Sequence, residues 1–305
     1  VVYLKVNYAE VEETFAEAFP MYCSRILITA LNEKWALTAA QVATGFASSI
    51  IMSPAEAAVE NVVSPTETPD NRVGVLIQIY HRSLPDLKGQ LVARMGQCVL
   101  TCPTTRAFDA LPEVKRRIRV GRTLSKFGDG FEKKDRMFNR DVWRIPVMEG
   151  EFIVEDSFGV VKAVAGGNIL ILAEDEESGL RAAEEAISAV RNSVKGVIAP
   201  FPGGIVRSGS KVGSLKYAKL AASTNHLYCP TLRDVIKDSK VPQDVKCVYE
   251  LVFNGLNVDL VKKAMGLAAL AASKVSGVKK IAAANYGGKL GPYKISLAEA
   301  IEKAK

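Results

Sequence analysis

The run Asn168-Ile-Leu-Ile-Leu-Ala173 decides the fold, because Arg25-Ile-Leu-Ile-Thr-Ala30 repeats it earlier in the chain. Each is a short apolar, partly β-branched stretch of the kind that forms a buried strand. Each is followed by a polar turn and an alanine-rich helix, with Ala39-Ala40 and Ala182-Ala183 at the same offset from their strands. In the second helix Leu180, Ala183, Ile187 and Val190 fall at helical spacing and predict one buried face. Gly45 stands where the first helix should stop, since glycine tolerates the left-handed position after a helix.

Outward from these runs the parallel continues. Ser49-Ile-Ile-Met-Ser-Pro54 and Gly196-Val-Ile-Ala-Pro200 read as second strands closed by proline. Val73–Tyr80 and Cys247–Phe253 read as third strands. Helices follow from about Leu84, marked by Leu87, Leu91 and Met95, and from Asn257, marked by Leu260, Ala264 and Leu267, with Asn257 suited to cap its helix. Cys98–Thr101 and Lys280–Ala284 are the expected fourth strands. Both halves thus spell βαββαβ, so the expected class is α+β: two related ferredoxin-like lobes from an internal duplication. The expected lobes are 1–150 and 151–305. The segment from 105 to about 147 departs from the pattern, with Phe127-Gly-Asp-Gly130 and strand signals at Asp141–Val147 and Glu151–Val154, and reads as an inserted arm.

At 48% hydrophobic and 24% charged residues the chain is expected to be globular rather than disordered. Residues 3–19 lack the charged start and apolar core of a signal peptide, and no apolar run reaches the length of a membrane span. Five cysteines without a paired spacing suit a reducing cytoplasm better than a disulfide framework, and two histidines leave little for a metal site, so none is expected. The net charge of +7 includes Lys115, Arg116, Arg117, Arg119, Arg122 and Lys126 with no acid among them. That run reads either as a solvated edge or as a surface collecting polyanionic ligands.

Common catalytic equipment is missing. No Gly-x-Ser-x-Gly elbow occurs, Gly287-Gly-Lys289 runs into Leu290 where a phosphate loop needs Ser or Thr, and Phe127-Gly-Asp-Gly130 lacks a third glycine. RNA recognition on a βαββαβ sheet needs aromatics on the central strands, which neither third strand supplies in that pattern. Glu250 stands out instead: alternation puts it on one strand face with Val248 and Val252. Two readings stay open, an open sheet face or cross-sheet cation pair, and a desolvated carboxyl that stays protonated near neutrality and can donate. Glycine-rich segments form a second group: Phe201-Pro202-Gly203-Gly204, Ser208-Gly-Ser210-Lys211-Val-Gly213 and Asn285-Tyr-Gly287-Gly288-Lys289-Leu-Gly291. They read as tight turns or as a binding surface where backbone amides, Ser210, Lys211 and Lys289 meet anionic groups.

These residues also carry a resemblance. Glu13–Phe19, Ala43–Phe46, Phe127–Gly130, Gly150–Gly159, Pro200–Val206, Ser210–Gly213, Ala222-Ser223-Thr224-Asn225, Tyr228–Thr231, Lys246–Glu250 and Gly287–Gly291 resemble the formylmethanofuran–tetrahydromethanopterin formyltransferases, in order, from about residue 10 to 296. The resemblance implies an acyltransferase passing a formyl group between two coenzymes, methanofuran and tetrahydromethanopterin, as co-substrates with no permanently bound cofactor. It implies a cytoplasmic homotetramer built as a dimer of dimers, with Glu250 as the catalytic glutamate and Ser208, Ser223, Thr224 and Asn225 beside the glycine-rich segments in substrate binding. No nucleic acid or membrane partner is implied. An alternative is a same-fold subunit of a formyltransferase–hydrolase complex that releases formate. The run Lys115–Lys126 departs from the acidic surfaces common in the family.

Overall fold

The computed structural model describes residues 3–305 and has an α+β architecture. The chain divides into two compact units, residues 21–162 and residues 1–20 with 163–305. The first 20 residues thus count with the C-terminal part.

In the unit 21–162, the strands Glu56–Val63, Val73–His81, the Met21–Ala30 part of Phe15–Ala30, and Arg106–Asp109 lie side by side in that order, each antiparallel to its neighbour. Ile26, Ile28, Val75, Ile77 and Ile79 face the helices Glu33–Thr44 and Leu84–Arg94, which bury Ala36, Ala39, Ala40, Leu87 and Leu91. Alanines let the first helix approach closely, while each fully buried leucine of the second contributes roughly 1.5–3 kcal/mol. The opposite face packs Leu27, Val63, Leu76, Phe108, Val142 and Ile153.

Three expectations in this unit are corrected. Cys98–Thr101 is no strand: the helix continues as a wider π-turn over Met95–Val99. Leu87, Leu91, Met95 and Val99 all stay buried four residues apart, so the helical stripe outruns the apolar character of the segment. The fourth strand is Arg106–Asp109. Ser49–Pro54 is a loop, because Ser53 Oγ accepts from Ser49 N–H at 3.0 Å and donates to Ser49 O and Ala55 O at 2.6 and 2.8 Å, which competes with an extended ladder. The strand begins beyond Pro54, at Glu56. Gly45 closes its helix with an extended backbone at φ −64°, and Phe46 takes the left-handed conformation at φ 46°.

The expected arm is a hairpin. Lys133–Met137 and Arg140–Val147 pair across Phe138 and Asn139, both at positive φ, as a tight two-residue connection requires. Gly150–Glu155 adds to Arg140–Val147 antiparallel and to Arg106–Asp109 in parallel. Within the basic run, Arg117 is committed: its guanidinium lies 2.8 Å from the buried carboxylate of Asp109.

In the other unit, Val197–Ile198, Cys247–Gly255, Val161–Ala173 and Val278–Ala282 lie in that order, again antiparallel. Ala9–Glu12 extends the sheet in parallel beside Val278–Ala282, with Tyr3–Val6 beyond it. Ile169, Ile171, Leu251, Phe253 and Ile281 join a core with Ala183, Ala186, Ile187, Val261, Ala264, Met265 and Ala268 from the helices Glu176–Ser193 and Val258–Ser273. Asp175 and Asn257 cap those helices by accepting from Ser178 N–H at 2.8 Å and Leu260 N–H at 2.9 Å. Leu180 is exposed; in Val258–Ser273, Val261, Ala264 and Met265 are fully buried, while Leu260 and Leu267 are partly buried against the same core. A further helix, Leu297–Ala304, buries Leu297, Ala300 and Ile301 against the same core. No helix among the described residues is long and apolar enough to cross a membrane.

Candidate active site

Glu250 stands mid-strand in Cys247–Gly255, opposite Leu170. On its other side Val206 N–H donates to Glu250 O at 2.8 Å, and Glu250 N–H donates to Val206 O at 3.0 Å. Leu251 and Phe253 point into the helix-side core, so alternation sends the Glu250 side chain to the other face. That face carries a smaller layer of Leu170, Leu172, Tyr228, Val241, Val245, Ala282 and Ala284.

The two readings of Glu250 differ in how far its carboxyl is removed from water. The residue is half-buried, and burial is what acts on the ionisation of its carboxyl. Burial alone pushes its pKa from an ordinary 4.5 up to about 7. Two tyrosines lie within its field. Burial raises the pKa of the Tyr228 phenol first, with Glu12 and Glu250 adding to it. Burial also raises that of Tyr286, with Glu250 next in importance, while the Val212 backbone works the other way. Glu12 is itself paired with Lys280 at 2.6 Å.

The glycine-rich segments meet this centre unequally. Pro202–Gly204 forms a short turn with Gly203 at φ 65° and Gly204 at φ 89°. Gly204 is buried, and a Cβ there would press on Ile187 at 2.8 Å, so this glycine is required by packing. Its N–H is spent on Phe201 O at 2.7 Å. The turn delivers Val206 to its pairing with Glu250, and Ser208 beyond it is exposed. Ser210–Val212 pairs with Ala222–Thr224 as a two-stranded hairpin. Inside it Lys211 Nζ donates to Ser223 Oγ at 3.0 Å, and Ser223 Oγ donates to Gly213 O at 2.7 Å. Ser210 and Thr224 are exposed, while Asn225 is buried and its backbone carbonyl accepts from Tyr228 N–H at 3.0 Å.

The third segment reaches the centre through Tyr286. Gly287 and Gly288 are at φ 69° and 80°, Lys289 is exposed, and Gly287 N–H donates to Asn285 Oδ1 at 3.2 Å. The titratable side chains that interact with Glu250 are therefore Tyr228 and Tyr286, which Glu12, paired with Lys280, and Glu17 act on in turn. Sequence reasoning named the segments of both tyrosines but neither side chain, and it missed the three charged residues. Glu12 and Glu17 lie more than 200 residues from Glu250 in the chain, and no local pattern announces such a meeting. Among the described residues no group of three His, Cys, Asp or Glu side chains could hold a metal ion.

An arrangement with one carboxyl poised near neutrality, phenols beside it and glycine turns at its rim suits proton transfer at a bound reactant. Residues 4–147 match the family model described as formylmethanofuran-tetrahydromethanopterin formyltransferase, and residues 150–300 match the one described as FTR, proximal lobe. The chain is 53% identical to the formylmethanofuran–tetrahydromethanopterin formyltransferase of Methanocaldococcus jannaschii over 98% of its length and all of the relative. It is 54% identical to that of Methanopyrus kandleri, over 96% of this chain and 99% of the relative. The solved formyltransferase of Methanosarcina barkeri superposes with a TM-score of 0.95 at 47% identity, over 97% of this chain and 100% of that one. A chain of the formyltransferase/hydrolase complex from Methylorubrum extorquens, solved with methylofuran, superposes with a TM-score of 0.93 at 42% identity, over 98% of this chain and 99% of that one.

Proposed function

The chain belongs to the formylmethanofuran–tetrahydromethanopterin formyltransferase family, and from that premise we propose how its residues carry the transfer. It is an acyltransferase that moves the formyl group of formylmethanofuran to tetrahydromethanopterin, both serving as co-substrates. The pterin secondary amine attacks the formyl carbon directly, giving a tetrahedral intermediate. The pterin nitrogen then gives up its proton, the carbon–nitrogen bond to methanofuran breaks, and the leaving amine takes a proton, so the transfer is proton-neutral. Glu250 manages that proton, and the observation that carries the assignment is its desolvated carboxyl with a pKa of about 7. The intermediate's oxygen is stabilised by backbone amides at the rim of the site. Those of Gly204, Ile205, Tyr286 and Gly287 already have internal acceptors, so the role is assigned to Gly203 and Gly288.

Substrate contacts are assigned to Phe201, Pro202, Gly203, Gly204, Ser208, Ser210, Lys211, Ser223, Thr224, Asn225, Gly287, Gly288 and Lys289, supported by their position in turns around the Glu250 strand. We read the two βαββαβ runs as lobes of one duplicated ferredoxin-like plan, supported by the same antiparallel strand order in each unit. The working assembly is a cytoplasmic homotetramer, a dimer of dimers. Purified protein supplied with formylmethanofuran and tetrahydromethanopterin should yield formyl-tetrahydromethanopterin; absence of that product overturns the proposal. A second reading is favoured by the likeness to the hydrolase-complex subunit. In that case native material should co-purify with a hydrolase and release formate.

A further inference from the structure

Glu17 lies on the segment Phe15–Ala18 that pairs with Tyr293–Ser296, and it is only 2% exposed. Its Oε2 accepts the backbone N–H of Tyr286 at 3.1 Å and of Leu290 at 3.3 Å. Those two donors bracket the turn that contains Gly287 and Gly288. Asn285, at the start of the turn, donates to Thr14 Oγ1 at 3.2 Å and to Phe15 O at 3.1 Å. Two consecutive glycines at positive φ leave such a turn free to move unless something fixes it. Glu17 supplies the fixed point.

The other oxygen makes the case stronger. Glu17 Oε1 is buried and has no hydrogen-bond partner among the described residues. A carboxylate half-satisfied in the interior costs free energy that an ordinary structural tie does not require. What the tie holds is Tyr286, whose phenol lies in the field of Glu250 and against the backbone of Val212.

The geometry points to Glu17 as a positioning residue for the catalytic carboxyl: it holds the Tyr286–Leu290 turn so that Tyr286 keeps water away from Glu250. This rests on the reading of Glu250 as the proton-handling group. The titratable groups that interact with Glu250 are Tyr228 and Tyr286; Glu12, paired with Lys280, acts on Tyr228, Glu17 acts on Tyr286, and Lys294 lies cross-strand from Glu17.

The test is the pH profile of kcat for wild type, Glu17→Gln, Glu17→Ala and Glu250→Gln, with melting temperatures recorded alongside. Wild type should lose activity as pH rises through about 7, where Glu250 gives up its proton. Glu17→Ala frees the turn and lets water reach the carboxyl. The midpoint should then fall by about one pH unit or more and kcat by about tenfold or more, with KM changed less. Glu17→Gln keeps a carbonyl that accepts both N–H groups, so its midpoint should stay within about 0.3 unit of wild type. A lower melting temperature with midpoint and kcat unmoved in Glu17→Ala overturns the assignment. So does a Gln variant as impaired as Ala.

Should Glu17→Ala fail to fold, Gly288→Ala strains the same turn at φ 80° and brings a methyl carbon within 2.6 Å of Lys294 Nζ. It must move the midpoint downward too; an unmoved midpoint counts against the clamp. If wild type shows no alkaline loss that Glu250→Gln abolishes, the reading of Glu250 fails and this inference falls with it.

Discussion

Replacing Glu250 by Gln should cost activity and raise stability at once. In the folded protein the carboxyl has a pKa of about 7 against an ordinary 4.5. At about 1.4 kcal/mol per pH unit, that difference amounts to about 3 kcal/mol. The sign follows from which state holds the proton more tightly. Here it is the folded state, so below pH 4.5 the carboxyl is neutral in both states and costs nothing. As pH rises through the interval to 7 the unfolded chain ionises first, and folding loses stability. Above 7 the full penalty is present. Gln has no such penalty at any pH and nearly the same volume. Urea denaturation at pH 8 should therefore find Glu250→Gln more stable than wild type by up to about 3 kcal/mol, with the gap closing towards pH 4. Turnover should fall by about 100- to 10,000-fold, since an amide cannot exchange the proton, while binding of both coenzymes changes far less. If the rival role holds, a fixed donor to the intermediate's oxygen, Gln keeps much of the activity and only Ala is severely impaired. A Gln variant no more stable than wild type at pH 8 would show that the carboxyl is hydrated. Turnover within about threefold of wild type, far below the span for acid–base catalysis, would remove Glu250 from the chemistry.

Light scattering should find a dimer or larger, in keeping with the exposed Phe127, Phe131 and Met148 of the arm; a fully active monomer refutes an oligomeric working unit. Raising salt should increase the Michaelis constants with little change in turnover, because Lys115, Arg116, Arg119, Arg122 and Lys126 are exposed and the screening length is about 8 Å at physiological ionic strength. Salt-activated turnover would refute that steering. Asn257→Ala should destabilise the fold by about 1 kcal/mol in chemical denaturation, through loss of the bond from Leu260 N–H; no loss would mean that the cap is not needed.

Strands and helices were legible where one period dominated. Val73–His81 and Cys247–Gly255 emerge close to the expected bounds because long β-branched and aromatic runs leave little alternative. The failures lie where side chains decided against the run. Ile50 and Ile51 suit a strand, yet Ser49 and Ser53 fold that stretch on itself through bonds to its own backbone. Cys98–Val99 also suits a strand, but it sits one turn beyond a helix whose buried stripe continues through it. At the site, Glu250 was visible because a charge among valines breaks a local rule. Glu17 was invisible for a related reason: its partners are backbone amides at 286 and 290, and hydrogen bonds to backbone leave no mark in the partner's residue type.

Register also explains why the place of Glu250 carries no carboxyl in the other unit although the strand plan occurs twice. Leu170 lies opposite Glu250 in one unit, as Leu27 lies opposite Leu76 in the other. On the duplication we propose, Leu76 holds the equivalent place, and it is sealed among Leu27, Val63 and Phe108. The nearest buried carboxylate of that unit's sheet, Glu60, has a different fate. Arg25 grips it with two bonds of 2.8 and 2.7 Å, and Gln78 adds a third at 2.7 Å. For Glu250, burial is what brings the carboxyl pKa to about 7. An arginine introduced opposite Glu250, as in Leu170→Arg, should pull its pKa back below the ordinary carboxylate value and abolish turnover near neutral pH.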